Sequence, residues 1–439
     1  MNDALPSFAC PACGNPLHVW RCNPCNASYP MLEAVPVLLP EPEMALADWR
    51  NRWRLERQRL YAEERRASAA AATAAGIAAA RLNHLAAALA KQRACLESLL
   101  APMLGNDRGG ARETLLGLRT RLPGHHAVTG YATNVLRDWA WGQPETLAAA
   151  RAIRGHLPEG ATTPITVLGA GACGLAAELG RERPVVALDS NPLLLLVAAR
   201  LLAGTTAEFV EFPTAPRHLD DVAVVHLLQP PPATNVQPIL GDIRFPPFPA
   251  ASLPVVVTHW LIDVIDLPLG VLAATLNHVL EPGGVWINQG SLAFTNGNPA
   301  WNPCLEEIPE ILRASGFEML TCSEEDQPYQ QSPHHRQRRY ERVVTWSARK
   351  VGAVPPPDNR SPDWLADGAQ PIPLLPAFQA QATAVRVHAW IMSQVNGQRG
   401  VDAIAAELSR QGLMPPEEAR AAVRGFVRTM FEEMLRSGD

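Results

Sequence analysis

The run Val167-Leu-Gly-Ala-Gly-Ala-Cys-Gly-Leu-Ala-Ala-Glu178 constrains this chain more than any other stretch in it. An apolar strand breaks into Gly169, Gly171 and Gly174, a helix follows, and the next apolar run, Val185-Val-Ala-Leu-Asp-Ser-Asn191, ends in an acid. Glycines at those three places permit a tight turn, close backbone approach to a ligand and packing of helix on strand, which is the opening unit of a doubly wound sheet. From Ile165 to about Lys350 short apolar runs alternate with helical stretches. Strands are expected at Ile165–Leu168, Val185–Leu188, Val222–Leu228, Val255–His259, Val285–Gln289 and Arg342–Ala348, so the fold class is α/β.

At 439 residues the chain exceeds one ordinary domain. Residues 1–42 are short of helix signals and rich in Pro and Cys. Residues 43–158 read as a helical cap, because Trp49, Trp53 and Leu60, then Leu82, Leu85, Leu89, Leu96 and Leu99, recur at helical spacings. The Ala-rich stretch Ala67 to Ala80 belongs to these helices, alanine being the best helix former. Residues 159–352 form the α/β domain, 353–376 a Pro-rich linker, and 377–439 a small helical or winged-helix domain.

Net charge is −5, so no broad basic surface advertises nucleic acid as a partner. There is no secretory leader pattern and no apolar run long enough to span a bilayer, which reads as a soluble, cytoplasmic chain with no membrane partner. Four of the eight cysteines, Cys10, Cys13, Cys22 and Cys25, form two Cys-x-x-Cys turns separated by a short loop. Two facing pairs of thiolates suit a closed tetrahedral site, and structural zinc is the expected ion.

The flanks of these cysteines, Gly14-Asn-Pro-Leu17, Ser28-Tyr-Pro30 and Val35-Pro-Val-Leu-Leu39, make the first forty residues similar to the zinc-ribbon activator subunits that pair with methyltransferases acting on tRNA and on translation release factors. A ribbon fused in cis is read first as scaffolding and second as a dock for a partner or substrate.

The glycine loop is open as to its ligand: a dinucleotide would place pyrophosphate there, S-adenosylmethionine its methionyl carboxylate, in either case facing unpaired N–H groups at the helix start. Three later features favour S-adenosylmethionine. Asp189 can accept from ribose hydroxyls, with Asn191 just beyond it; Gly241-Asp242 is placed as an adenine-edge acid; and Leu280-Glu-Pro-Gly-Gly284 resembles the turn before the fifth strand of class I methyltransferases. Trp139 and Trp141 read as core, with a role covering the cofactor as the sharper alternative for Trp139.

Leu136-Arg-Asp-Trp-Ala-Trp-Gly142, Thr258-His-Trp-Leu-Ile-Asp-Val264, Pro282-Gly-Gly-Val-Trp-Ile-Asn288 and Tyr340-Glu-Arg-Val-Val-Thr-Trp346 resemble the carnosine N-methyltransferase family in order and spacing. The resemblance runs from about Trp49 to Lys350. It implies methyl transfer to an imidazole nitrogen of a small molecule or peptide, with Asp263 as the carboxylate that holds the productive tautomer and Tyr340 as its catalytic companion. Tyr329 falls where the family has a pocket tyrosine, and Asn288 at the pocket floor. Thr295 stands where the family has a substrate-binding histidine, so a related imidazole or a histidyl peptide fits as well as carnosine. His259, at a strand end beside the cleft, is a further substrate-side candidate, although a lone histidine there is more often a satisfied core residue. The C-terminal helices loosely resemble leader-peptide-binding domains, which would bring a peptide partner. Methylation of RNA or of a translation factor, and cofactor binding without turnover, are the alternatives.

Overall fold

The structure, a computed structural model, describes residues 5–105, 128–158, 163–294, 298–358, 362–366 and 369–437. In chain order the strands are β1 (Arg21–Cys22), β2 (Ala27–Ser28), β3 (Met31–Leu32), β4 (Val35–Leu38), β5 (Ile165–Leu168), β6 (Val185–Asp189), β7 (Ala207–Glu211), β8 (Val224–Leu228), β9 (Val236–Gly241), β10 (Leu253–His259), β11 (Leu280–Gly290), β12 (Phe317–Pro328) and β13 (Tyr340–Lys350). Among the described residues nine of them make one sheet, in the order β12-β13-β11-β10-β5-β6-β9-β4-β3. The strands from β11 through β4 run parallel, while β13 inserts antiparallel beside β11 and pairs with β12. This is a Rossmann-like, doubly wound mixed sheet.

Its two faces follow from the strand period of two. Ile165, Val167, Val185 and Ala187 pack with the apolar faces of the N-terminal helices and of Pro192–Leu202, whereas Leu168, Val186 and Leu188 belong to a second cluster with Ile239, Trp286 and Trp346. Burial on both faces is why these runs are continuously apolar. The fully buried rings of Trp286 and Trp346 meet edge-on at 4.5 Å, tying β11 to β13.

One expectation changes here. The run Val222–Leu228 does not enter the sheet: β8 pairs only with β7, as an antiparallel hairpin whose Val225 and Leu227 are exposed. Its place beside β6 is taken by β9, a strand masked in the sequence by Pro238. At the other edge β12 carries Glu324, Glu325 and Asp326, charges that suit a strand with one neighbour.

The cysteine-bearing segment is not a detached module. Strands β3 and β4 extend the sheet past β9, with Val37 opposite Leu240, and the Ala9 N–H donates to the Pro247 carbonyl at 2.9 Å. Phe8, Cys10, Cys22 and Tyr29 share a core cluster with Leu168 and Leu188.

Helices α1 (Pro42–Thr73) and α2 (Gly76–Leu104) form an antiparallel pair. Arg50 near the start of α1 donates to the Met103 carbonyl near the end of α2 at 2.9 Å, and Arg93 pairs with Glu64 at 3.0 Å. The Ala-rich stretch is broken at Ala74–Ala75, where the chain turns extended before Gly76 at φ 58°.

Residues 360–439 make a second compact unit. Helices Pro376–Gln394, Val401–Arg410 and Pro416–Ser437 enclose Ile391, Ile404, Leu408 and Val423, and His388 stacks on Phe426 at 4.7 Å. Among the described residues this unit has no strand, and no helix of the chain is long and apolar enough to cross a membrane.

Candidate functional site

Strand order reverses between β5 and β10, and in open α/β sheets that reversal opens a crevice beyond the strands' C-terminal ends. The glycine loop follows β5, Asp189 ends β6, His259 ends β10 and Gly290 ends β11, so these residues come to one edge. Gly169 and Gly171 adopt φ 67° and 57°, conformations that glycine reaches without strain. A Cβ on Gly169 would stand 2.6 Å from Leu261 Cδ1, and one on Gly174 would stand 2.6 Å from Asp138 Cβ. At Gly171 a Cβ would meet only Asn134 and Arg137, at 3.8 and 3.9 Å, so this glycine faces room.

Two of the loop's N–H groups are engaged within the chain, where the sequence suggests open donors. Gly171 donates to Asp189 Oδ2 at 2.8 Å and Gly174 to Asp138 Oδ2 at 3.0 Å. Asp138 in turn holds the buried Arg137 guanidinium at 2.8 Å. Trp139 braces the loop from the same π-helical turn, Arg137–Trp141, by donating Nε1–H to the Ala172 carbonyl at 2.7 Å.

Asp189 also accepts from the Asn191 N–H at 2.8 Å. Burial pushes its carboxyl up to about 6 despite these backbone donors. Asn191 itself is occupied elsewhere: its Oδ1 accepts from Leu193 N–H at 2.9 Å and caps the helix Pro192–Leu202. Asp242 is engaged by Arg244 through both oxygens.

The second half of the crevice is the turn after β10. Asp263 is 7% exposed and its Oδ1 has no hydrogen-bond partner among the described residues, while beside it Ser291 Oγ accepts from the Ala293 N–H at 3.0 Å. Burial pushes the Asp263 carboxyl up to about 6, and Glu341 adds to the effect. Burial raises the Tyr131 hydroxyl, and the charges of Asp189, Tyr329 and Asp263 add to the rise. The Tyr329 ring packs on Trp260 at 4.2 Å, with the Arg339 guanidinium 4.8 Å from its centroid. The loop carrying Tyr329 is anchored where Glu145 accepts from the Gln330 and Gln331 N–H groups at 3.1 and 3.2 Å.

Other expected site residues are engaged within the chain or exposed. Asn288 is fully buried, accepts from Thr258 Oγ1 at 2.9 Å and donates to the Val344 carbonyl at 3.5 Å; it locks strands together. His259 Nδ1 lies 2.6 Å from Gln289 Oε1, and burial, helped by Arg137, holds the ring down to about 3, a neutral imidazole. Tyr340 opens β13, is 64% exposed and joins none of the hydrogen bonds described at the glycine loop or the Asp263 corner. Thr295 lies outside the described residues. Arg137, Asp138 and Tyr131 were missed by sequence reasoning, although Leu136-Arg-Asp-Trp had already marked that turn; their roles depend on partners far along the chain.

The four cysteine sulfurs gather within 4.8 Å of one another, with separations of 3.0 Å for Cys13–Cys25 and 3.5 Å for Cys10–Cys25. A tetrahedral zinc–thiolate site needs about 3.8 Å between sulfurs, so a small expansion of this cluster would admit the ion. Tyr29 O–H lies 2.9 Å from Cys10 Sγ and Asn15 donates to Cys13 Sγ at 3.2 Å, outer contacts of the kind that orient ligands.

No protein-family model and no curated protein sequence matches the chain. Solved structures it is similar to include an S-adenosylmethionine dependent methyltransferase from Mesorhizobium loti, 14% identical over 46% of this chain and 99% of that one, with a TM-score of 0.32. An S-adenosylmethionine dependent methyltransferase from Aquifex aeolicus is 12% identical over 49% and 92% of the two chains, TM-score 0.31. The Haemonchus contortus phosphoethanolamine N-methyltransferase 2 is 14% identical over 51% and 58%, TM-score 0.34. The fold assignment rests on the strand order itself, a Rossmann-like sheet with an antiparallel strand set into one end.

Proposed function

We propose that this chain is an S-adenosylmethionine-dependent N-methyltransferase acting on an imidazole-type nitrogen of a small histidine derivative or a histidine-containing peptide. The observation that carries the reading is the Asp263 carboxylate: buried at the strand-end crevice, with one oxygen lacking any donor. An orphaned buried acceptor is costly, and a ligand N–H is the group that would satisfy it.

The residues fit the cofactor. Asp189 uses one hydrogen bond at each oxygen, which leaves lone pairs on both for ribose hydroxyls. Gly171 faces room, and the Arg137 guanidinium at its edge suits a methionyl carboxylate. When bound, S-adenosylmethionine supplies an electrophilic sulfonium methyl. Asp263 would accept the N–H of one imidazole nitrogen, leaving the other with its lone pair directed at the cofactor side, and would stabilise the positive charge that develops on the ring. Tyr131 and Tyr329 would wall the acceptor between the two acids. In this reading the cysteine cluster holds a structural zinc that fastens the N-terminal segment against the sheet edge.

The test is incubation of the purified chain with S-adenosylmethionine and a panel of imidazole compounds, histidine dipeptides and histidyl peptides, followed by mass spectrometry. A product heavier by one methyl on the ring is expected. Cofactor binding with no methylated imidazole in any member of the panel removes the proposal.

A further inference from the structure

The hairpin β7–β8 and the loop between β12 and β13 bring together three side chains that belong neither to the glycine loop nor to the Asp263 corner. Glu211 ends β7, His226 lies in β8, and His334 comes from the loop more than a hundred residues later. Their ligand-capable atoms lie within 4.8 Å of one another. The Glu211 side chain is 5% exposed and its Oε2 is 2.8 Å from His226 Nε2. The two imidazoles stand edge-on, centroids 5.9 Å apart.

The surroundings hold this set in place. His334 Nδ1 is 2.8 Å from Asp221 Oδ1, a carboxylate partner of the kind that fixes the tautomer of a metal-bound histidine and leaves Nε2 with its lone pair. Pro216 and His335 form an antiparallel bridge, and Arg336 N–H donates to the Ala215 carbonyl at 3.0 Å, so the loop's backbone is fastened to the segment after β7. Glu211 Oε1 also faces His335 Nε2 at 3.6 Å. Glu211 with His226 on it, and His334 within 4.8 Å and backed by Asp221, gives the carboxylate-and-two-imidazole donor set that a metal site uses.

We propose that Glu211, His226 and His334 bind a divalent transition-metal ion of the zinc class, with three protein ligands and one open position. Ligand atoms 2.0–2.1 Å from a tetrahedral ion are about 3.3 Å apart, so the Glu211–His226 contact opens by roughly half an ångström to admit it. The ion ties the loop that begins at Tyr329 to the hairpin, and so sets where that tyrosine stands at the crevice. The proposal depends on these ligands and not on the methyl-transfer reading.

Zinc content, measured by elemental mass spectrometry after equilibration with zinc and removal of free ion, tests it on the full chain. His226→Ala and Glu211→Gln should each hold one zinc fewer per chain than the unsubstituted protein, whatever the cysteine cluster retains. Circular dichroism checks that each variant is folded. Equal zinc content in all three overturns the proposal. Should a variant fail to fold, cobalt titration of the unsubstituted chain decides: a cobalt ion bound without thiolate charge-transfer absorption supports the site, and only thiolate-bound cobalt overturns it.

Discussion

The glycine loop and the Asp263 corner lie at the ends of neighbouring strands, yet they treat their polar groups in opposite ways. At the loop, acids and N–H groups satisfy one another within the chain: Asp189 with Gly171 and Asn191, Asp138 with Gly174 and Arg137. At the corner a buried carboxylate oxygen is left without a donor. Satisfied groups fix a shape before any ligand arrives, and an unsatisfied one creates a demand that a ligand meets. The first region has its polar groups paired and the second keeps one acceptor open.

Substitutions at the two regions should therefore fail differently. The largest effect is expected at Asp263→Asn, which keeps the size and removes the charge: methyl transfer should fall by about 10²–10⁴-fold. Cofactor binding, read by calorimetry, should be unchanged; turnover within a few-fold of the unsubstituted chain would dissolve the contrast between the regions. Next comes Asp138→Ala, which leaves the Arg137 guanidinium buried without its partner and should cost about 3–5 kcal/mol in denaturant unfolding. A loss under about 1 kcal/mol would mean that the loop is not held by this pair.

Gly174→Ala is smaller. Its methyl would stand 2.6 Å from Asp138 Cβ, and relieving the overlap should cost about 1–3 kcal/mol while weakening cofactor affinity. Asp263→Asn, by contrast, should weaken activity and not stability. A variant at Gly174 that binds cofactor normally would show that the close fit is incidental.

The smallest effect is in pH. Asp263 titrates near 6 in the folded chain against 3.8 for an unburied aspartate. Between those values the folded state keeps a proton that the unfolded state releases, so stability falls as pH rises from about 4 to about 6, by about 1–3 kcal/mol from this group. Asp263→Asn should flatten that part of the stability profile, and any methyl-transfer activity of the unsubstituted chain should climb through the same upper limit as the carboxylate forms. A stability profile unaltered by the substitution would place Asp263 in a more polar setting.

Much of the sheet is legible in the sequence because its signals are local. The strands β5, β6, β10, β11 and β13 are apolar runs between turn residues, and the glycine loop is specified by conformations that few other residues adopt. The strand that pairs elsewhere, β8, and the strands β9 and β12 that the sequence reading does not anticipate, each depend on neighbours. The alternating β8 can serve as half of a hairpin or as a sheet edge, β9 contains a proline, and charged β12 needs only one partner. The same holds in the site: Asp189 and Asp263 announce themselves by position after a strand, whereas Asn191 and Asn288 look like ligand contacts until a cap and a strand-to-strand bond are seen to occupy them.

The sequence by itself thus determined the doubly wound class, the glycine turn, the paired cysteines and the acids that end or follow the strands, since each is a matter of spacing and backbone freedom within a few residues. Only the tertiary structure decided that β3 and β4 close the sheet edge, that Asp138 takes the loop's Gly174 N–H, and that His334 reaches Glu211 and His226. Those are meetings between segments distant in sequence, fixed by packing and burial, and no local pattern encodes which partner a side chain will find.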